Sequence, residues 1–279
     1  MLRKATVPQH GQTSHDVLQQ RAIAWKQRPV LRLVYRQYFS QMAAEFVVRS
    51  DRGPNRHGRV VEIGGGAGHF KEFYPDVVVT DLVPNEFIDL AVDALRLPFA
   101  DQSVDNLVLQ DVIHHLPLPL RFFAEAQRVL TPGGRLVMTE PYISAVSGIC
   151  YRTSHPEPVN MQSAIFADEA AQSSGAAASD PIPIIGEGPF ASNQAVPTLL
   201  FFKHWAEFQK RFPQFVLKRR QTHSMMLYPL SGGFSGPVLM PHFAAHAAQK
   251  FERLLAPLAR WLAFRMLIVL EKSPAVPPS

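Results

Sequence analysis

The stretch Val60–Gly68, with the sequence VVEIGGGAG, decides the fold. Its apolar run has no polar face, which predicts a buried strand of a parallel sheet. Glycines then occupy alternate positions, at Gly64, Gly66 and Gly68. They allow a tight turn and let the backbone approach a ligand that a Cβ atom would push away. The acid just ahead of them, Glu62, would repel a pyrophosphate and attract an ammonium group, so the pattern favours a cationic or hydroxyl-rich ligand.

Short apolar runs alternate with helical or turn segments after Arg59, which predicts parallel βαβ units with helices on both faces of a sheet. An amphipathic helix is predicted over Leu120–Leu130 and is stopped by Thr131-Pro132-Gly133-Gly134. The candidate strands are Val60–Ile63, Val77–Thr80, Asn106–Gln110 and Arg135–Glu140.

The flanking segments are less regular. Helical spacing over residues 15–49, interrupted at Pro29, predicts two helices ahead of the sheet. Residues 142–197 show no period, and Ala167–Asp180 has nearly low-complexity composition, typical of a surface loop. The elements predicted beyond them are helix 197–212, strand 215–228, helix 241–261 and a last strand, Phe264–Glu271.

Composition excludes several classes of protein. The chain has 279 residues, 47% of them hydrophobic and 18% charged, which suits a globular α/β protein with a sizeable core. The net charge of +5 is scattered, and no basic run with interleaved aromatics indicates nucleic acid. A single cysteine, Cys150, excludes an intramolecular disulfide and a cysteine-based zinc cluster. No secretion signal is evident, and the longest apolar stretch contains Arg260 and Arg265, so a cytoplasmic location is expected.

Further motifs follow the glycine turn at regular spacing. The second candidate strand is followed by Asp81, and an acid there can accept both hydroxyls of a ribose. The segment Asp93–Phe99 reads DALRLPF, and the next strand ends at Gln110-Asp111. In this order the motifs resemble the class I S-adenosylmethionine-dependent methyltransferases, in their small-molecule branch. The resemblance covers about Val60 to Pro141, including the histidine pair His114-His115 and the entry Leu130–Leu136 to a fifth strand.

The resemblance implies a Rossmann-like seven-stranded sheet of order 3-2-1-4-5-7-6, with the last strand antiparallel. It also implies S-adenosyl-L-methionine as the cofactor. The glycine turn would admit the methionine moiety, Glu62 would face its ammonium, and Asp81 with Leu82 would hold the ribose. Asp93 and Ala94 would bind adenine, and Gln110 would face the reactive mouth. The cofactor-binding prediction therefore comprises Glu62, Gly64, Gly66, Gly68, Asp81, Leu82, Asp93, Ala94 and Gln110.

A nicotinamide or flavin dehydrogenase is the main competing interpretation. Its G-x-G-x-x-G fingerprint needs a third glycine where this chain has His69, and it leaves Glu62 beside a pyrophosphate. We therefore reject it.

The acceptor side has weaker signals. Methyl transfer needs an in-line approach to the methyl group, and a general base helps when the acceptor is a hydroxyl. The polar cluster Tyr151–Pro158 lies after the fifth strand, and His155 within it is the candidate base, oriented by Glu157. Asn193 and Gln194 are candidates for binding acceptor hydroxyls. His114 and His115 suit packing better than catalysis, and Tyr35 and Tyr38 either pack in the core or close over the cofactor.

We therefore expect an N-terminal helical extension or lid over residues 1–58 and a methyltransferase domain over 59–279, with an acceptor-side insertion at about 142–197. The expected partner is a small-molecule or glycan acceptor, with no nucleic acid and no metal. A C- or N-methyltransferase of the same fold, or a non-catalytic cofactor-binding module, are the alternatives. For Lys250–Arg265 a helix packed on the sheet is favoured over contact with a membrane surface, which would be peripheral at most.

Overall fold

The computed structural model describes residues 14–49, 57–155, 157–166 and 191–274, and the statements below concern these residues. Seven strands form one sheet of order β3-β2-β1-β4-β5-β7-β6. The strands are Val60–Ile63 (β1), Val78–Asp81 (β2), Leu90–Ala91 (β3), Val104–Gln110 (β4), Leu130–Pro141 (β5), Phe215–His223 (β6) and Arg265–Lys272 (β7).

The first five strands are parallel, whereas β7 runs antiparallel between β5 and β6. The predicted sheet is confirmed in its strand order and in the direction of its last strand. Because β7 is reversed, its first residue, Arg265, pairs with Pro141 at the end of β5. The carboxyl edge of the parallel strands therefore also receives the beginning of β7.

Helices cover both faces, as predicted. They are Ser14–Gln27 (α1), Pro29–Ala43 (α2), His69–Phe73 (α3), Pro119–Val129 (α4), Ala145–Ser154 (α5), Val196–Thr198 (α6), Trp205–Arg211 (α7), Leu227–Ser231 (α8), Ala245–Leu254 (α9) and Ala259–Leu262 (α10). A π-helical turn, Leu199–Lys203, continues α6, and 3₁₀ turns lie at Ile113–His115, His242–Ala244 and Ala256–Leu258. None of the helices in the described ranges is long and apolar enough to traverse a bilayer.

Two hydrophobic clusters sandwich the sheet, because alternate residues of each strand point to opposite faces. In β7, Met266, Ile268 and Leu270 pack with one cluster, whereas Leu267 and Val269 pack with the other. The first cluster includes aromatic residues of α4 and α7, and the second includes the buried stripe of α2. The N-terminal helices are thus part of the core on one face.

Some predicted elements differ from the structure. Helix α4 ends at Val129 as expected, but strand β5 begins directly at Leu130, so Thr131–Gly134 belongs to the strand. Leu130, the first residue of β5, pairs with Val104 of β4, and the register of the two strands shifts between Val104 and Asn106. Tertiary pairing therefore overrides the local turn signal of Pro132-Gly133-Gly134.

The segment after β5 also differs, since residues 145–154 form a helix that the sequence pattern did not indicate. Its start is fixed by a capping box between Ser144 and Ser147, whose side chains each accept from the other's backbone N–H. The predicted loop Ala167–Asp180 lies outside the described residues.

The C-terminal predictions were too long. The strand predicted over 215–228 ends at His223, where Ser224 has a left-handed backbone, and Leu227 begins a helix. The predicted helix 197–212 contains the π-helical turn, and the helix predicted over 241–261 is divided by Ala256–Leu258. Pro257 explains the second interruption, because it cannot donate a helical hydrogen bond.

Candidate functional site

The glycine turn after β1 is tightly packed against neighbouring segments. Gly64 and Gly68 have φ of +70° and +69°, values that L residues rarely adopt. A Cβ atom on Gly64 would lie 2.6 Å from Val112 Cγ2, and one on Gly68 would lie 2.8 Å from the carbonyl oxygen of Phe87. Both positions therefore require glycine, and the predicted Gly66, with φ of +54°, lies between them.

Glu62 is buried at the end of β1 with 3% of its surface exposed, and its Oε2 atom has no hydrogen-bond partner among the described residues. Burial, reinforced by the charge of Asp81, raises the pKa of Glu62 to about 8. A buried carboxyl group without a donor costs free energy. A cationic ligand at Oε2 would offset that cost.

A cavity open to solvent lies beside this carboxyl group, with about 450 Å³ of space that includes the solvent at its mouth. Gln110 also lines it, and its Oε1 atom is buried without a partner, while its Nε2 atom donates to Asp111 Oδ2 at 2.9 Å. The cavity thus presents two buried acceptor atoms that lack donors. The other lining residues are Arg21, Tyr35, Phe39, Gly64, Gly65, Gly66, Ala67, His69, Phe70, Asp111 and Phe234.

Asp81 lies at the end of β2 and supports the glycine turn. Its Oδ2 accepts from the backbone N–H of Gly66 at 2.8 Å, and its Oδ1 accepts from Val83 at 2.9 Å. Asp81, the residue predicted to bind the ribose, therefore also orders the glycine turn, where the methionine moiety is predicted to bind. The neighbouring Leu82 is exposed, with 56% of its surface accessible.

The predicted adenine residues lie beyond β3. Asp93 is exposed and its Oδ1 accepts from the N–H of Leu95 at 2.8 Å, which closes an Asx turn. Ala94 is buried. Neither residue, nor Asp81 and Leu82, is among the residues that line the 450 Å³ cavity, and Gly68 lines a neighbouring one instead.

Asp111 follows β4 and joins three elements. It has a left-handed backbone with φ of +62°, and Tyr35 of α2 donates to its Oδ2 at 3.0 Å. Its Oδ1 forms an ion pair with Arg265 Nη2 at the start of β7. Burial opposes ionisation of Asp111, but the charges of Arg265 and His114, together with hydrogen bonds from Arg265 and Gln110, outweigh it and lower the pKa of this carboxyl group. Arg265 is itself 2% exposed, whereas the side chain of Asp111 is 23% exposed, so the pair is partly buried.

A second buried network adjoins Asp111. His114 lies between two carboxylates, with Nδ1 2.8 Å from Glu140 Oε2 and Nε2 3.3 Å from Glu157 Oε2. Burial opposes its charge, but hydrogen bonds to both acids raise the pKa of His114 to about 10. His114 is thus an imidazolium near neutral pH. The same contact keeps the pKa of Glu157 well below its usual value despite burial.

His115 and His155 differ in which ring nitrogen is engaged. His115 Nδ1 lies 3.1 Å from the carbonyl oxygen of Ala191, so it carries the proton and Nε2 keeps its lone pair. Burial and the nearby His114 charge lower the pKa of His115 to about 4. His155 Nδ1 instead accepts from the N–H of Glu157 at 3.2 Å, so in its neutral form the proton is on Nε2. Burial also lowers the pKa of His155.

The predicted orientation of His155 by the Glu157 carboxylate is wrong, because that carboxylate contacts His114 and Gln194. Asn193 is fully buried, and its side chain already forms hydrogen bonds with Asn160 and Ser163. Gln194 keeps a buried Oε1 atom without a partner in the described chain.

Two sets of side chains could coordinate a metal ion: His114, His115 and Glu157, and Asp111, His114 and Glu140. Residues of both sets also take part in the hydrogen bonds given above. The expected absence of a metal stays a prediction.

Sequence reasoning missed Asp111 and Arg265 as members of the site. The place of Asp111 directly after a predicted strand was an available signal. For Arg265 the sequence gives no signal, because it contacts Asp111 only through the pairing of β7 with β5. Tyr35 packs with the core cluster on α2 and also lines the cavity, and its closing over the cofactor stays a prediction.

Residues 61–138 match the family model described as a methyltransferase domain. A demethylmenaquinone methyltransferase of Deinococcus radiodurans is 35% identical over 39% of this chain and 52% of the relative. An uncharacterized methyltransferase of Mycobacterium marinum is 28% identical over 43% of this chain and 61% of the relative. The chain thus spans little more than half the length of these relatives.

Among solved structures, a SAM dependent methyltransferase from Archaeoglobus fulgidus is 14% identical, with a TM-score of 0.48, over 86% of this chain and 94% of that one. Residues 61–138 of this chain are thus similar to a methyltransferase domain, and the strand order found here is the one that the resemblance in the sequence implied.

Proposed function

We propose that the protein is an enzyme that transfers a methyl group from S-adenosyl-L-methionine to a hydroxyl of a small-molecule or glycan acceptor. The observation that carries the proposal is the pair of buried acceptors, Glu62 Oε2 and Gln110 Oε1, that line one cavity without donors of their own. An ammonium group supplies several donors and a positive charge, so the methionine end of this cofactor fits the site. A pyrophosphate supplies neither.

The other cofactor residues follow from this placement. The bare backbone of the turn at Gly64 and Gly66 would face the methionine moiety, and Asp81 and Leu82 would hold the ribose. Asp93 and Ala94, after β3, would bind adenine. When bound, S-adenosyl-L-methionine supplies an electrophilic methyl group on a positively charged sulfur.

The N-terminal helices serve as a lid in this proposal. Arg21 of α1 and Tyr35 of α2 both line the cavity, and Tyr35 bonds Asp111 at the end of β4. A lid would exclude water, which competes with the acceptor for the methyl group. Residues 1–58 would thus act with the domain formed by 59–279, and the insertion at about 142–197 would contact the acceptor.

A hydroxyl acceptor is favoured because two neutral histidines, His115 and His155, lie near the cavity residues Arg21 and Asp111, although neither histidine lines the cavity itself. The hydroxyl proton must leave as the new carbon–oxygen bond forms, and a base within hydrogen-bond reach of it accelerates that step. His155 is the base that the sequence predicted. Its tautomer presents an N–H at Nε2, however, whereas His115 presents a lone pair there. His115 is therefore a second candidate for the same role.

A C- or N-methyltransferase of the same fold would not need this base, and a non-catalytic module would not turn over the donor. Assays of donor turnover with panels of alcohols, sugars, phenols and amines separate these alternatives. Turnover with amines alone would contradict the proposal of a hydroxyl acceptor. Absence of turnover with every panel would favour a non-catalytic cofactor-binding module.

Calorimetric titration with S-adenosylhomocysteine and S-adenosylmethionine tests cofactor use. Because the pKa of Glu62 in the protein without cofactor is about 8, this carboxyl group is protonated in most molecules at pH 7. A bound ammonium favours the carboxylate, so binding should release nearly one proton, seen as a dependence of the heat on the buffer's ionisation enthalpy. Glu62→Gln should abolish this release and weaken binding. Absence of binding to the wild type would end the proposal.

A further inference from the structure

The segment from Val238 to Trp261 packs on the domain through few residues. Met240, Ala245, Glu252 and Ala259 are buried, and Leu255 packs partly buried against the core. The carboxylate of Glu252 accepts from the backbone N–H groups of Met225 and Met226, so it is not available to solvent. Most of the large apolar residues of the segment therefore do not pack on the domain.

The large apolar residues of this segment point outward instead. Phe243 is 86% exposed and Leu254 is 74% exposed. The others continue the same stripe or flank it: Val238, Leu239, Phe251, Leu258 and Trp261. Helix α5 packs against α10 and adds Val146 and Ile149, which are also exposed. Contiguous exposed apolar surface of this kind is unusual on a soluble domain and marks an interaction site.

The exposed charges on the segment are all positive. Lys250, Arg253 and Arg260 border the apolar stripe, at positions one residue before Phe251, Leu254 and Trp261. Between Met225 and Arg265 the only acid is Glu252, which is buried. We call these exposed residues, apolar and basic together, the apolar-basic face.

This face adjoins the elements that roof the cavity. Gln249 of α9 donates to Gln37 of α2 at 2.9 Å, and Tyr142 after β5 donates to the carbonyl oxygen of Arg260 at 3.3 Å. Phe234, which lines the cavity, precedes Val238 by four residues. A partner bound to the face would therefore lie next to the candidate site.

The geometry points to the surface of an anionic lipid bilayer as the occupant: we propose that the apolar-basic face docks there, with its aromatic and leucine side chains among the lipids and its cations at the headgroups. An interfacial helix shows this combination, an apolar stripe bordered by Lys and Arg. The cations add attraction to anionic headgroups. A face without exposed acids is complementary to that surface and would not be needed for a neutral partner.

The test is cosedimentation of the full chain with vesicles, without cofactor. We expect binding about tenfold or more tighter to phosphatidylcholine–phosphatidylglycerol vesicles than to phosphatidylcholine alone, weakened by added salt. The double variant Phe251→Glu/Leu254→Glu should lose that binding, and Lys250→Glu/Arg253→Glu should lose the preference for the anionic vesicles. Val48→Glu is the matched control, since Val48 is 58% exposed but lies outside the face.

The alternatives give different outcomes. Wild-type protein that sediments with neither vesicle, or variants that sediment like the wild type, would overturn the proposal. So would a wild type that is dimeric without lipid and becomes monomeric on Leu254→Glu, because a second copy would then cover the face. Thermal melting and calorimetric cofactor binding of each variant should match the wild type. These controls keep the outcome separate from that of the proposed function.

Discussion

The hydroxyl of Tyr35 donates to Oδ2 of Asp111 at 3.0 Å and so ties helix α2 to the carboxyl end of β4. The same carboxylate receives Gln110 Nε2, a cavity residue. Helix α2 and the end of β4 are therefore connected through one acid. That acid is also the partner of Arg265, so the site depends on residues from three distant parts of the chain.

Tyr35→Phe should lower the free energy of unfolding by about 1.5–3 kcal/mol, because it removes a hydrogen bond to a charged, buried group. Chemical denaturation measures this loss. Tyr74→Phe is the control, as Tyr74 packs against Phe46 and His57 and is not among the residues that line the cavity. The variant should also bind the cofactor more weakly, and an unchanged affinity would mean that the lid does not contact the ligand.

Glu62 should make the stability of the free protein depend on pH. Its folded pKa of about 8 lies above the ordinary value of 4.5, so the stability that it contributes is present below about pH 4.5 and is lost as pH rises through about 8. Glu62→Gln should therefore become more stable than the wild type over this window, at roughly 1.4 kcal/mol for each unit of the pKa difference. Denaturant midpoints between these pH values would show it, and Glu86→Gln, an exposed acid, should follow the wild type.

Asp81→Ala should weaken cofactor binding and also destabilise the free protein, because the carboxylate holds the N–H groups of Gly66 and Val83. Asp81→Asn keeps one acceptor oxygen and should recover part of the stability, yet bind the cofactor about 10- to 100-fold more weakly than the wild type. Calorimetry and thermal melting of both variants separate the two roles. Normal affinity in Asp81→Asn would remove Asp81 from the ribose site.

Arg265→Met should cost about 1–3 kcal/mol of stability, because it leaves the partly buried carboxylate of Asp111 without its counter-charge. The double variant Arg265→Met/Asp111→Asn should recover part of that loss, and the resulting mutant cycle gives the coupling between the two side chains. Arg253→Met, an exposed arginine, should remain within about 0.5 kcal/mol of the wild type.

His115→Ala and His155→Ala distinguish the candidate bases once an acceptor is found. Loss of the base should reduce turnover by about 10²–10⁴-fold, with cofactor affinity unchanged. From the ring nitrogens engaged in each case, we expect the larger loss for His115→Ala. Two unchanged rates would indicate that neither histidine moves the acceptor proton.

Local signals predicted the sheet well. Glu62, the glycine turn and Asp81 lie within one βαβ unit, where strand pattern and spacing fix the arrangement, and the strand order followed from the family resemblance. The helix Ala145–Ser154 had no apolar periodicity to indicate it, because its buried residues, Ser147, Gly148 and Tyr151, are mostly small or polar.

The rest of the site depends on contacts across the chain. Glu157 contacts His114 rather than the neighbouring His155, and Arg265 reaches Asp111 across 154 residues of sequence. Such pairs follow from strand register and from the packing of the segment after β5. A single sequence does not contain that information, so the acceptor side could not be predicted as the cofactor side was.

The position of β7 has a consequence for biogenesis. The seventh strand to leave the ribosome lies between the fifth and the sixth, and it contributes Arg265 to the site. Strand β6 pairs with β7 in the sheet, so it cannot join the sheet before β7 is synthesised. Until then the edge of β5 that will pair with β7 stays exposed. A nascent chain halted before Arg265 would thus be an incomplete sheet and a target for chaperones, whatever the order in which its other parts assemble.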